Sequence, residues 1–188
     1  DLGTRACIMG ILNVTPDSFS DGGRFHDYNA AVAQGIHLAE QGAHILDIGG
    51  ESTRPFSKPV STREEIDRVV PVIETLSKKI SIPISIDTVK APVAEAALHA
   101  GAAIINDISA FEMDPDMVGV AARYQVPVIL MHMKGTPETM QNDPVYDDLM
   151  QEISDYLAVR AGDLIAGGIE KSRIILDPGI GFGKTVHH

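Results

Sequence analysis

The sequence of 188 residues has no tryptophan, a single cysteine and no apolar stretch long enough to span a membrane. Aromatic residues make up 5% of it, so Ile, Leu, Val and Ala must fill the interior. Cys7 cannot form an internal disulfide, and we expect it to be a small buried core residue. Because no secretory signal is recognisable either, we expect a soluble, cytoplasmic protein.

Basic residues are also scarce. The chain has 15 Lys and Arg against 26 Asp and Glu, a net charge of −11, and its basic residues form no cluster. This balance argues against binding to nucleic acid or to an anionic membrane surface. An anionic substrate would need local partners, such as an Arg, a Lys, backbone N–H groups or a metal ion.

What the sequence does contain is six short apolar runs, each of which ends on a polar residue. The runs are rich in Ile, Leu and Val, which is typical of strands buried on both faces. Longer segments with helical spacing lie between them, so the pattern predicts an α/β protein with βαβ units and a parallel sheet. The predicted strands are 7–13, 44–49, 84–87, 102–108, 127–132 and 173–177.

Helix signals support this alternation and a single domain over residues 1–188. Ser61 and Glu64 form a candidate capping box, and Asp114 followed by Pro115 predicts another helix start. The predicted helices are 29–40, 61–79, 89–100, one beginning after Asp114, and 147–166. A TIM barrel has eight strands and about 250 residues, so six strands predict either an open sheet or part of a barrel.

Three strand-end residues, Asp87, Asn106 and Asp177, form the sharpest candidate site. In folds of this class, ligands bind at the carboxyl ends of the strands. An ionised carboxylate only accepts hydrogen bonds, whereas a carboxamide donates and accepts them. The set therefore suits a planar nitrogen heterocycle with an amine beside a ring N–H. The alternative is that each residue caps a helix or stabilises a turn.

A second group has a different chemistry. Arg54 carries a guanidinium suited to carboxylate or phosphate oxygens, and Thr53 can donate a hydroxyl. Asn13 can offer a carbonyl oxygen to Mg²⁺, which prefers hard oxygen ligands. Together the three could bind a diphosphate, although Arg54 alone is more often part of a surface ion pair.

The glycine-rich segment GIGFGKT fits neither common nucleotide motif. A P-loop would need glycine where Pro178 stands, and the dinucleotide fingerprint would need it at Lys184. A turn that brings Phe182 near a ligand stays open, and Lys184 either contacts that ligand or is solvated. His132, at another strand end, is either structural or catalytic.

Several segments together resemble those of the dihydropteroate synthase family. GILNVTPDSFSDGG (10–23) and DIGGESTRP (47–55) look like its two signature motifs. SIDT, INDI, LMHMKGTP and LDPGIGFGKT match further blocks in the same order, so the resemblance covers essentially the whole chain. It implies a TIM barrel that joins 6-hydroxymethyl-7,8-dihydropterin diphosphate to p-aminobenzoate, the step of folate synthesis that sulfonamides target.

The resemblance also implies roles for single residues. Asp87, Asn106 and Asp177 would hold the pterin, with Met131 against its ring. Phe182 and Lys184, in the glycine-rich turn, are further candidate substrate contacts. Asn13 would lie at a site for diphosphate and Mg²⁺, with Thr53 nearby. The residues that would line or order the p-aminobenzoate pocket are Phe19, Pro55, Asp21 and Arg54. Asp87, Asp21 and Arg54 would be the catalytic set.

One departure from the family pattern lies at the end of the chain. The family has two further strands, with an S-R-K and an R-x-H segment that supply cations to the site, and these are absent here. We therefore expect a C-terminally truncated barrel, with little activity as an isolated 188-residue chain. The resemblance also allows for a homodimer. Alternatives are a pterin-binding module of a methyltetrahydrofolate–corrinoid methyltransferase, and a non-catalytic fragment, but the first two loops favour the synthase.

Overall fold

Parallel strands form one sheet, in the order in which they follow one another along the chain. The computed structural model describes residues 5–15, 24–52 and 59–188, with only the backbone of 24–27. The strands in this part are β1 (Met9–Asn13), β2 (Ile45–Gly49), β3 (Ile84–Asp87), β4 (Ile104–Asp107), β5 (Val128–Met131) and β6 (Ile174–Asp177). Each strand pairs with the next, which is the strand order of a TIM barrel, here with six strands.

Helices connect the strands, as the alternating pattern predicts. They are α1 (Arg24–Glu40), α2 (Thr62–Leu76), α3 (Ala91–Ala100), α4 (Met117–Tyr124) and α5 (Leu149–Ala166), with a short 3₁₀ turn at Lys171–Arg173. Ser61 is the N-cap of α2, and its hydroxyl accepts a hydrogen bond from the Glu64 N–H at 3.2 Å. Among the described helices, none has both the length and the apolar character needed to cross a membrane.

The two faces of the sheet have different surroundings. The outer face packs against the helices in the main hydrophobic core. On the inner face, Ile45, Ile104 and Ile129 form a small separate cluster, against which Met9 and Ile175 pack. Because side chains alternate along a strand, the polar strand-end residues lie on this inner face above the apolar layer.

Burial differs from the prediction at the two outer strands. β2 and β5 are buried throughout, whereas Ile11 on β1 and Leu176 on β6 are more than half exposed. In the part of the chain that the structure describes, β1 and β6 each pair with only one other strand. Cys7 is exposed, so its predicted burial is wrong. The apolar run begins at Cys7, but β1 begins only at Met9.

Asp114 is not the N-cap of α4, which begins two residues later than predicted, with Asp116 in the cap position. The Asp114 carboxylate accepts hydrogen bonds from the N–H groups of Ala91, at 2.8 Å, and Asp116, at 3.0 Å. Lys90, the N-cap residue of α3, makes no side-chain capping bond. Asp114 therefore caps α3, the helix that precedes it in the chain, rather than α4, which follows it.

Candidate active site

Asp87 and Asn106 are direct neighbours at the carboxyl ends of β3 and β4, where they occupy paired register positions. Adjacent strands are about 4.8 Å apart, and paired residues face the same side of the sheet. Asp177 ends β6, two strands beyond β4, and pairs with Met131 of β5. The structure thus brings the three predicted acceptor residues and Met131 to one edge of the sheet.

Asp47 belongs to the same cluster, although the sequence motifs did not single it out. It is 3% exposed on the inner face of β2, and its Oδ2 accepts a hydrogen bond from Asn106 Nδ2 at 3.0 Å. Its Oδ1 has no hydrogen-bond partner among the described residues. Since the side-chain NH₂ group of Asn106 donates to Asp47, the side-chain oxygen of Asn106 is left as the acceptor for a ligand. A charged residue inside the apolar run ILDIG was the available signal.

Several carboxylates surround Asp87. Burial raises the pKa of the Asp87 carboxyl well above its usual range, and the charges of Asp47, Asp107, Glu65 and Glu51 raise it further. Burial also raises the pKa of Asp47, and the neighbouring Ser85 and Asn106 side chains oppose this shift. A ligand that donates N–H groups, or that develops positive charge, would stabilise the ionised form of Asp87.

One carboxylate oxygen of Asp177 is occupied by the turn that follows β6. Its Oδ1 accepts a hydrogen bond from the Gly179 N–H at 2.8 Å, so one oxygen stabilises the turn after β6. Gly179 has a φ of +68°, and a Cβ there would lie 2.0 Å from the His132 carbonyl oxygen and 3.0 Å from Met131 Cγ. The glycine-rich turn therefore passes directly over the end of β5, close to the predicted pterin contact Met131.

Lys184 anchors this turn. It is 9% exposed, and its ammonium contacts His132 Nδ1 at 2.9 Å and donates to the carbonyl oxygens of His132, Gly179 and Phe182 at 3.0–3.2 Å. These acceptors occupy all its protons, so the arrangement does not fit the predicted substrate contact. Phe182 lies at the predicted turn and is partly exposed.

His132 has a structural role in this arrangement. Burial lowers the pKa of its imidazole, and the positive charge of Lys184 lowers it further. Since Nδ1 faces the ammonium, the neutral ring accepts there and carries its proton on Nε2. The ring also packs edge-on against Tyr156, with the centroids 5.0 Å apart. Of the two readings left open by the sequence, the contacts favour the structural one.

Asn13 lies at the end of β1 and pairs with Gly49 of β2. A Cβ at Gly49 would lie 3.6 Å from Asn13 Oδ1 and 3.4 Å from Asp87 Oδ2, so the glycine leaves a space that both oxygens border. Hard oxygen atoms around a small space suit Mg²⁺. Among the described residues, no group of three or more His, Cys, Asp or Glu side chains could hold a metal ion, and Mg²⁺ at Asn13 stays a prediction.

A cavity of about 340 Å³ opens next to Asp87. Residues of the β2–α2 loop, of the segment after β3 and of the loops after β4 and β5 line it. Its lining residues include Ser52, Pro59, Asp87, Ile108, Met113 and Pro137. Asn106 and Asp177 do not line it, so the cavity adjoins the acceptor cluster only at Asp87.

The remaining predicted residues, Phe19, Asp21, Thr53, Arg54 and Pro55, lie outside the described residues. Their predicted roles at the diphosphate and p-aminobenzoate stay predictions.

A barrel-type sheet with hydrogen-bond acceptors at its carboxyl edge defines the class of a ligand-binding α/β barrel. The model of the family "Pterin binding enzyme" matches residues 9–188. The chain belongs to this family, as the resemblance implied.

Its relatives within the family are dihydropteroate synthases. The chain is 49% identical over 185 residues to the enzyme of Synechocystis sp., with 98% of the chain and 64% of the relative covered. It is 50% identical over 186 residues to the enzyme of Bacillus subtilis, with 97% and 62% covered. The chain thus spans somewhat less than two thirds of these relatives.

Solved structures agree with the sequence relatives. The Yersinia pestis dihydropteroate synthase with a sulfonamide drug complex superposes with a TM-score of 0.92 at 47% identity, covering 100% of this chain and 68% of that one. The Xanthomonas albilineans enzyme with 4-aminobenzoic acid gives 0.90 at 48% identity, covering 97% and 64%. The fold is therefore that of these TIM barrels.

Proposed function

We propose that the protein is a dihydropteroate synthase, which joins 6-hydroxymethyl-7,8-dihydropterin diphosphate to p-aminobenzoate and releases diphosphate. The observation that carries this proposal is the row of acceptors Asp87, Asn106 and Asp177 on one strand edge, with the Asn106 carboxamide oriented by Asp47. A pterin presents an amine beside a ring N–H, and both are donors that such a row can satisfy. Sequence identity to synthases over nearly the whole chain supports the same conclusion.

The buried carboxylates explain how the site would promote the reaction. In a dissociative path the C–O bond to diphosphate breaks first, which leaves positive charge on the pterin methylene. Ionised Asp87, beside Asp47, stabilises that charge in a region that excludes much of the solvent. The amine nitrogen of p-aminobenzoate then forms the C–N bond and loses a proton.

The diphosphate side of the reaction involves the β1 end and the first two loops. Asn13 and the space at Gly49 would hold Mg²⁺ together with diphosphate oxygens, and Thr53 and Arg54 would complete this side. When bound, the ion would neutralise the charge of the leaving diphosphate. Phe19 and Pro55 would line the p-aminobenzoate pocket, and Asp21 would help to order the loops around it.

The test of this function separates binding from turnover. The purified protein is incubated with dihydropterin diphosphate and p-aminobenzoate, and dihydropteroate and diphosphate are quantified; pterin binding is measured in parallel by calorimetry. Asp87→Ala should weaken pterin binding at least tenfold, because a lost charged hydrogen bond costs about 1.5–3 kcal/mol.

The matched control is Asp67→Ala, which removes an exposed carboxylate from α2. It should leave both binding and turnover unchanged. Pterin binding that stays within twofold of wild type in Asp87→Ala would contradict the assignment of Asp87. A folded protein that carries the two further strands of the family pattern and binds pterin, but forms no dihydropteroate, would contradict the proposed reaction, whereas the 188-residue chain alone is expected to have little activity.

A further inference from the structure

Lys90 joins the two ends of the β2–α2 loop, although no motif singled it out. Its ammonium donates to the carboxylates of Glu51 and Glu65, the latter at 2.6 Å, and to the Val60 carbonyl oxygen at 2.8 Å. An ammonium has three donors, and here each has its own acceptor. Glu51 precedes the segment 53–58 and Val60 follows it, so one side chain binds the chain on both sides of that segment.

Glu65, one of the acceptors of Lys90, is itself held by a second hydrogen bond. Glu65, on the first turn of α2, has a side chain that is 1% exposed and also accepts a hydrogen bond from Thr88 Oγ1 at 2.6 Å. Burial lowers the pKa of Lys90, but the hydrogen bonds and charges of Glu51 and Glu65 outweigh it and raise that pKa overall. Lys90 is therefore a permanent cation between two carboxylates.

Arg68 adds a second attachment at the start of the same loop. Its guanidinium donates to the Gly50 carbonyl oxygen at 2.7 Å and pairs with Glu64 on its own helix. This bond fixes only the end that leaves β2. Lys90 alone, among the described contacts, reaches both Glu51 and Val60.

The loop ends form a wall of the cavity next to Asp87. Glu51, Ser52 and Pro59 line it, together with Lys90. Ile108, Met113 and Pro137 also line the cavity, so much of the lining is apolar. A volume of about 340 Å³ accommodates a substituted benzene ring. The pterin acceptors Asn106 and Asp177 lie outside this cavity and are held by contacts that do not involve Lys90.

We propose that Lys90 is a positioning residue that holds both ends of the β2–α2 loop and thereby shapes the cavity wall for the arylamine substrate. The identity of the substrate rests on the proposed function, whereas the attachment of the loop ends does not. Loss of the attachment should therefore affect the KM for p-aminobenzoate more than the binding of the pterin.

Two variants and one control test this role. Lys90→Met removes all three bonds and leaves the buried Glu65 without its cation. Glu51→Gln removes the negative charge at one loop end, which weakens its bond to Lys90, and keeps the Lys90–Glu65 pair, so it retains the fold even if Lys90→Met does not. The control is Lys78→Met, which removes an exposed ion pair with Glu74 at the other end of α2.

Hydrogen exchange, followed by mass spectrometry, reports on the loop without requiring activity. In a peptide covering residues 50–60, exchange should be at least tenfold faster in Lys90→Met and at least threefold faster in Glu51→Gln. Lys78→Met should match the unmodified protein. Unchanged exchange in a folded Glu51→Gln and in Lys90→Met would overturn the attachment.

The kinetic comparison uses Glu51→Gln above the pH at which Asp87 titrates, because the loss of the Glu51 charge, which raises the pKa of Asp87, then leaves Asp87 ionised in both proteins. We expect its KM for p-aminobenzoate to rise at least threefold, with the Kd for dihydropterin diphosphate within twofold of wild type. Faster exchange without a change in this KM would overturn the positioning role. These kinetics use the protein with the two further strands of the family pattern; absence of turnover in its unmodified form would overturn the proposed function instead, and exchange would still decide whether Lys90 holds the loop ends.

Discussion

Asn106 donates a hydrogen bond from Nδ2 to the buried Oδ2 of Asp47, 3.0 Å away. This bond decides whether a ligand meets the oxygen or the NH₂ group of the carboxamide. A free carboxamide could present either its oxygen or its NH₂ group after a rotation of 180°. With the NH₂ group bound to Asp47, the groups that Asp87, Asn106 and Asp177 present to a ligand are all acceptors. The choice of pterin over heterocycles with acceptor edges would follow from this orientation.

Asp47→Ala should therefore weaken pterin binding by threefold to tenfold, which corresponds to a hydrogen bond of about 0.5–1.5 kcal/mol. Asp47→Asn keeps an oxygen that can accept from Asn106, so its affinity at alkaline pH should stay within threefold of wild type. Calorimetric titration of both variants checks this. Equal affinities in Asp47→Ala and wild type would show that Asp47 does not orient the carboxamide.

The pH dependence of pterin binding should report the ionisation of Asp87. Burial and four neighbouring negative charges raise its pKa, so affinity is present above that pKa and is lost as the pH falls through it. Asp47→Asn removes the first of these charges and should move the midpoint to lower pH. Asp67→Asn, on the exposed side of α2, should leave the midpoint in place. A midpoint that rises in Asp47→Asn would contradict this account.

Lys184→Met should raise the pKa of the His132 imidazole, because a cation 2.9 Å from Nδ1 opposes protonation. Titration of the His132 ring signals by NMR measures this shift. The variant should also lose about 1–3 kcal/mol of unfolding free energy, since buried carbonyl groups lose their donor. Lys171→Met, in the exposed turn before β6, serves as the control for both measurements. An unchanged His132 titration would show that the two groups are not coupled.

The free energy of unfolding should fall as the pH rises from about 4 to about 6, because the Asp107 carboxyl loses its proton over this range. Burial raises the pKa of its carboxyl to about 6, which the hydrogen bonds from Ser109 only partly offset. The native state then binds the proton more tightly than the unfolded chain, so stability is lost as that proton leaves, by about 3 kcal/mol over the two pH units. Asp107→Asn should remove this part of the slope.

Urea unfolding at several pH values between 4 and 7 measures that slope. Asp116→Asn, an exposed substitution at the start of α4, should keep the wild-type dependence. A slope in Asp107→Asn that equals that of wild type would contradict the prediction, because other carboxyl groups would then account for it.

The strand order and the acceptor row could be predicted because both depend on local patterns. Each apolar run ends where its strand ends, within two residues, so Asp87, Asn106 and Asp177 fall on one edge by topology alone. Asp47 and Lys90 could not be assigned in this way, since their roles depend on partners brought together by folding. For the same reason the role of Lys184, which the sequence left as either a ligand contact or a solvated residue, became visible only in the fold, where it is buried and holds a turn.

Some predictions concern properties that the fold and the relatives do not address. Mg²⁺ at Asn13, a cytoplasmic location and a homodimer stay predictions. The roles of Phe19, Asp21, Thr53, Arg54 and Pro55 do as well, because these residues lie outside the described ranges.

The cap that Asp114 provides to α3 has a consequence for the order in which the chain folds. The side-chain acceptor of the Ala91 N–H lies 23 residues later in the chain, after the whole of β4. The first turn of α3 closes through bonds from Val93 and Ala94 to the Lys90 carbonyl oxygen, so the helix can form before Asp114 is in place. The N–H of Ala91 gains its side-chain acceptor only when the segment after β4 has docked, and the cap therefore joins two consecutive βα units.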